Sequence, residues 1–481
     1  MKREQIRRLF LHFFAVMAAC ILLTGVKAQA QIPSLKTSII NGSAETDMKG
    51  NPINAHGGGF LKIGNYYYLI GENRQKNVLV SCYRSTDLIN WEFRGDLLTR
   101  SSDSELKNAN IERPKVIYNE TTKKFVMWMH YELSSDYSYA RAAVATSDDI
   151  EKPFTWLKSF QPLDNMSRDC NLYKDTDGKA YFISSTRENR DMNLYELTKD
   201  YLSIKLKVGT FWVDAQREAP AIMKRGNYYF ILTSFCTGWE PNQAKYAWSE
   251  SLSGPWSGLK DIGSPTSYNS QPTFILPIAG EKTTSYMYVG DRWDPALYSN
   301  SRSIYLPLTF ENDTTIKMDW VKKVIPNLAT GELVTQDEPQ HQFRIKSKWS
   351  GEYLSLQSNQ SSTANVAAYK LGYLKPNLRW EIFPSNNELV RIKHVQTGKY
   401  LEAEENNQTR LSDEKKSDLQ LWKEIRQKDG WSKLINKATG KALTIERSKN
   451  RKAELLYTSD YSKEYDANYD KQGFLLAPVY E

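Results

Sequence analysis

A chain of 481 residues with 40% hydrophobic and 12% aromatic content is too long for one ordinary domain and rich enough to bury two or three cores. Its formal charge of +8 falls to +4 once the five cations and one anion of residues 1–30 are set aside, which is no nucleic-acid footprint. Beyond those residues no apolar run approaches the roughly 18 residues that a membrane-spanning helix needs, so no transmembrane segment and a soluble mature protein are expected.

Residues 1–30 read as an export signal. Lys2, Arg3, Arg7 and Arg8 precede an apolar stretch over 9–23, and Ala28-Gln29-Ala30 offers a small-residue cleavage site, which implies a periplasmic or extracellular protein. Cys20 after Val16-Met17-Ala18-Ala19 partly matches a lipoprotein acceptor site, but the apolar run continues through Ile21-Leu22-Leu23, against lipidation. Three cysteines follow the leader, Cys82, Cys170 and Cys236. An odd and widely spaced set is no disulfide framework, so structural thiols are expected.

Over 31–325 one pattern recurs five times. A polar residue stands three or four positions ahead of an apolar pair, and an aromatic-rich strand ending in polar residues comes next. The openers are His56, Glu112, Asp169, Glu218 and Gln271, and the second strands are predicted over 66–72, 125–131, 180–185, 228–234 and 286–290. Five such units suit a radial propeller of four-stranded blades. The innermost strands of a propeller run along its axis, so their openers converge at one mouth. Carboxylates gathered there, with no phosphate loop and no metal-ligand spacing, suit acid/base chemistry on a glycosidic bond. No cofactor is expected, and a structural cation at the axis is left open.

Around 326–340 that pattern stops, and Pro326, Gly331 and the polar run Gln336 to Gln340 read as a connector. A new repeat fills 341–481. Gly351-Glu352-Tyr353-Leu354, Gly398-Lys399-Tyr400-Leu401 and Gly440-Lys441-Ala442-Leu443 recur at intervals of 47 and 42 residues, with Trp380, Trp422 and Phe474 in matching places downstream. Three units of short strands indicate a β-trefoil. The predicted fold is therefore all-β, a five-bladed β-propeller followed by a β-trefoil. The trefoil resembles the ricin B-type lectin module. The module's Gln-x-Trp survives only as Gln420-Leu421-Trp422, because Leu378 replaces the Gln in the first unit and the third ends in Phe474.

Asn54-Ala55-His56-Gly57-Gly58-Gly59, Glu112-Arg113-Pro114-Lys115 and Arg217-Glu218-Ala219-Pro220 together resemble glycoside hydrolase family 43, more narrowly its exo-β-1,3-galactanase subfamily. Met166-Ser167-Arg168-Asp169, Thr237-Gly238-Trp239, Ser270-Gln271 and Gly290-Asp291-Arg292-Trp293 match as well. The resemblance implies an inverting exo-hydrolase acting on galactan or arabinogalactan glycans, with Glu218 as general acid and Glu112 orienting it and tuning its pKa. The family's usual blade-one aspartate base is absent, and the subfamily places a glutamine where Gln271 stands to position the water. His56 is a substitute base or a ring at the funnel floor. Glu72, His56, Tyr137, Asp169, Asn189, Thr237, Trp239 and Arg292 match the sugar-contacting positions. An α-L-arabinofuranosidase or β-xylosidase of the same family, and a non-catalytic glycan-binding propeller, are the alternatives. A monomer is expected.

Overall fold

The computed structural model describes residues 35–133, 136–337, 342–356, 366–369, 378–385, 388–427, 431–447, 454–462 and 468–479. The export signal and Cys20 lie outside them. Among the described residues helices are confined to short 3₁₀ turns, none long and apolar enough to cross a membrane.

Five four-stranded antiparallel sheets succeed one another along the chain, opening at His56–Ile63, Asn110–Asn119, Cys170–Lys174, Arg217–Arg225 and Gln271–Ala279. These innermost strands touch in cyclic order and the fifth returns to the first, which closes a five-bladed ring. The second strands are apolar on both faces because each blade is packed between two others. In Lys124–Glu132, Met127 and Met129 face blade one, whereas Val126 and Trp128 face blade three. Period-two alternation therefore feeds two different cores and leaves a continuous hydrophobic run in the sequence.

Phe60 meets Phe274 where blade one meets blade five, with ring centroids 5.7 Å apart. Asn41 reinforces blade five, donating to the carbonyls of Tyr305 and Val321 at 2.8 and 2.9 Å while accepting from the Tyr305 amide at 2.8 Å. The expected connector is structured. Lys323–Asn327 and Glu332–Gln336 form a hairpin that pairs with Ile39–Ile40. Its turn needs Gly331, at φ 79° and with a Cβ position only 1.9 Å from the Thr283 carbonyl oxygen.

The trefoil core gathers equivalent residues of three units around Trp380, Trp422 and Phe474, all fully buried. The two indoles are fixed alike, Trp380 donating to the Leu354 carbonyl and Trp422 to that of Leu401, each at 3.0 Å. The third unit keeps a glutamine too, with Phe474 in place of the Trp. Gln472 closes the turn Asp470–Gln472 just as Gln420 closes Asp418–Gln420, and both are buried, so the third unit carries Gln472-Gly473-Phe474.

Candidate active site

Three of the five inner strands, those opened by His56, Glu112 and Glu218, share one backbone device. Pairing with the second strand skips between His56 and Gly59, Glu112 and Lys115, and Glu218 and Ala221. The residue after each of these three is left-handed, with φ 56° at Gly57, 55° at Arg113 and 52° at Ala219. A β-bulge re-aims the side chain beside it. Non-glycine residues held this way cost roughly 1–3 kcal/mol each, and such strain gathers at functional sites. In blade one the glycine has a further use, because a Cβ at Gly57 would stand 2.3 Å from Glu72 Oε1.

The mouth is a cavity of about 350 Å³ whose lining includes Glu72, Glu112, Asp169, Glu218, Gln271 and Trp239. Glu112 Oε1 accepts from Arg74, Asn110 and Tyr137 at 2.7, 2.7 and 2.8 Å, and Oε2 lies 3.1 Å from His130 Nδ1. Burial pushes the Glu112 carboxyl up, but His130, Arg74 and Tyr137 outweigh it and hold the group well below the usual carboxylate range. Glu218 shows the opposite balance. Burial raises it and the Asp169 charge adds to this against Arg113, so that its carboxyl is pushed up to about 8. Two carboxyls of one cavity are thus driven apart, one ionised and one protonated at neutral pH, which is the pattern of an acid with a charged neighbour.

Gln271 joins the blades. Its Nε2 donates to Glu218 Oε1 at 2.8 Å and to Ser234 Oγ at 3.0 Å, while its Oε1 accepts from Arg113 and from the Trp293 indole. Both partners of the oxygen are pure donors, which fixes the orientation of the amide.

Residues 55–272 match the model of glycosyl hydrolases family 43, and residues 332–409 and 376–457 match a ricin-type β-trefoil lectin-like domain. The exo-β-1,3-galactanase 1,3Gal43A from Clostridium thermocellum is 38% identical, over 92% of this chain and 100% of that one, with a TM-score of 0.61. The chain belongs to glycosyl hydrolases family 43. Another solved member, a family 43 β-1,3-galactosidase, is 33% identical over 92% of this chain and 94% of its own, with a TM-score of 0.58. A xylan 1,3-β-xylosidase from a Vibrio species is 24% identical over 193 residues, 36% of this chain and 35% of that relative's length.

Within this family 43 mouth, Glu72, Glu112, Tyr137, Asp169, Asn189, Glu218, Trp239 and Gln271 all line the cavity. Three sequence-predicted residues do not. His56 lies behind the wall, its ring edge-on to Tyr298 and Trp293, and burial with the Arg74 charge holds it down to about 4. The Thr237 hydroxyl donates to the Glu240 carbonyl and accepts from Asn242, closing its own loop. Arg292 turns the other way along its strand, donating to the Tyr268 carbonyl at 2.9 and 3.2 Å, while the preceding Asp291 faces the axis and accepts from Gly57. Neighbouring strand residues point to opposite faces.

Sequence reasoning left Arg74, Arg113, His130 and Trp293 without roles. Arg74 bridges Glu72 and Glu112, and Arg113 pairs with Asp169 at 3.2 Å instead of with its neighbour Glu112. Likewise Arg217 turns from Glu218 to Thr233. The signal that finds His130 is the ladder itself, since Glu112 pairs with His130, His56 with Glu72 and Glu218 with Ser234.

Glu112, His130 and Asp169 bring ligand-type atoms within 4.8 Å of one another. Burial pushes His130 down, but Glu112 and Glu132 outweigh it and hold the imidazole up at about 9. A cationic imidazole is a donor, so the contact between His130 and Glu112 is an ion pair. Lys115 donates to the Gly57 carbonyl of blade one at 2.6 Å, so the inner strands carry an ammonium of their own.

Proposed function

We propose that this chain is an exported, inverting exo-hydrolase that releases galactose from the non-reducing end of β-1,3-galactan, as in arabinogalactan. The observation that carries the reading is one cavity holding a protonated Glu218 and an ionised Glu112, in a chain 38% identical along the full length of an exo-β-1,3-galactanase. The basic and apolar leader supports export.

A terminal sugar enters the cavity, and Glu218 donates its proton to the glycosidic oxygen as the bond to C1 breaks. Water attacks C1 from the opposite face and the anomeric configuration inverts, the proton that the water loses passing to solvent, from which Glu218 is re-protonated. Glu112, held ionised by its four donors, favours the positive charge that develops at C1. The attacking water is held at Gln271. All four hydrogen-bonding positions of that amide are in use, so water takes the place of one partner. Exchange of the Ser234 bond leaves Arg113, Trp293 and Glu218 undisturbed. Trp239, 44% exposed and edge-on to Trp293, offers an apolar ring to the C–H face of galactose.

Digestion of β-1,3-galactobiose followed by proton NMR tests this. α-Galactose is expected as the first-formed anomer, with Glu218→Gln silent. β-Galactose first would replace inversion by retention. Xylose from β-1,3-xylobiose with nothing from galactobiose would move the sugar to that of the Vibrio relative, and binding without cleavage would leave a glycan-binding propeller.

A further inference from the structure

The turn between Ala180–Thr186 and Asp191–Leu197 carries three successive left-handed residues, Arg187, Glu188 and Asn189, at φ 47°, 57° and 65°. Such a run is costly for non-glycine residues and persists only where its surroundings impose it. Here Arg187 forks onto Asp191 and reaches Asp214 at 2.8 Å, while the Asp214 amide donates back to Asp191 at 2.9 Å. The turn so held directs Asn189 Nδ2 across to the neighbouring blade, where it donates to Glu218 Oε2 at 2.9 Å. Asn189 Oδ1 is buried and accepts no hydrogen bond among the described residues, so the side chain's one bond there is to the acid. On the far side Gln271 Nε2 donates to Glu218 Oε1 at 2.8 Å.

We propose that Asn189 is a positioning residue, forming with Gln271 a two-amide clamp that takes both oxygens of Glu218 and leaves the acid's own proton facing the cavity. The assignment deepens the reading of Glu218 as general acid and rests on it. The clamp offers only N–H donors, so neither amide competes with the glycosidic oxygen for the proton. When that proton leaves, both donors meet the new carboxylate, and hydrogen bonds to a charged group are the stronger kind. The stabilisation grows along the reaction, where it accelerates the chemical step. The other groups facing Glu218 are Asp169, which disfavours its ionisation, Arg113, which favours it, and the Cys236 thiol.

The test is direct titration of ¹³C-labelled glutamate carboxyls by NMR, with Glu218→Gln assigning the signal, in wild type and Asn189→Gly. Glycine adopts the left-handed turn freely and deletes only the amide. The Glu218 midpoint is expected to rise above its value near 8 by about one to two units. Asn189→Asp keeps the turn, replaces the donor by an acceptor and moves the midpoint further up. On β-1,3-galactobiose both variants lose about 10- to 100-fold in kcat with KM within threefold. An unchanged midpoint would overturn the clamp. A fall would also do so, since Asn189 would then be accepting from the neutral acid. A rise in KM at constant kcat would make Asn189 a sugar contact instead. If wild type leaves galactobiose intact while the midpoint rises in Asn189→Gly, the substrate reading fails and the clamp stands.

Discussion

Gln271 at the propeller mouth and Gln420 in the trefoil are two fully hydrogen-bonded glutamines beside a glutamate, with opposite consequences. Gln420 Nε2 shares its two hydrogens among Glu402, Ser412 and the Asp413 carbonyl at 2.9, 2.7 and 2.8 Å, and Oε1 accepts from the Lys415 amide at 2.9 Å. Burial pushes Glu402 up, but Ser412, Arg410, Lys415 and Gln420 outweigh it and hold it down to about 2. There the glutamine and glutamate are buried beneath the exposed Arg410 and Lys415, and the glutamate is simply ionised. At the mouth, Glu218 meets two amides, the Arg113 cation and the Asp169 charge inside a cavity, and its carboxyl stays protonated at neutral pH. The contrast separates a polar cluster that holds a fold from one that is poised for proton transfer.

That contrast can be broken at either end. Next to the loss of Glu218 itself, the largest expected effect is Glu112→Gln, which removes the negative partner of Arg74 and His130 and is expected to cut kcat on β-1,3-galactobiose about 10²- to 10³-fold. A change within fivefold would remove Glu112 from the account. In the trefoil, Trp422→Ala empties the shared core and is expected to cost about 3–5 kcal/mol of that domain's stability in calorimetry. Below the lowered melting temperature, the galactobiose rate should stay within twofold of wild type. A proportional loss of rate would tie the trefoil core to the mouth. Smaller again, Gln420→Ala leaves Glu402 short of a donor and should cost about 1–3 kcal/mol in thermal or urea unfolding, with no change in the pH profile of cleavage.

Much of the architecture was legible because both repeats write their hydrophobic rhythm into the sequence. The openers, each three or four residues ahead of its apolar pair, identified the inner strands, and Trp380, Trp422 and Phe474 marked the trefoil core. The hairpin after the propeller was not legible, because Pro326 and Gly331 are turn residues and its partner, Ile39–Ile40, lies almost 300 positions earlier. In the site, motif spacing located residues along a strand but not the face they take. Hence Arg292, one position past the inward-facing Asp291, was assigned to sugar and packs away from it. Arg74 and His130 went without roles because they act from the second strand and its exit, through cross-strand register. The balance that sets Glu218 high and Glu112 low is likewise a property of neighbours brought from all five blades, and no local pattern encodes it.

The pH dependence of kcat/KM on β-1,3-galactobiose tests the central claim most directly. Glu218 must be protonated to act, so the wild-type rate should fall about tenfold per unit as pH rises beyond about 8. Glu218→Gln should lie about 10²- to 10⁴-fold lower and lack that limb. A wild-type rate still climbing past pH 9, or the same limb kept in Glu218→Gln, would show that another group supplies the proton.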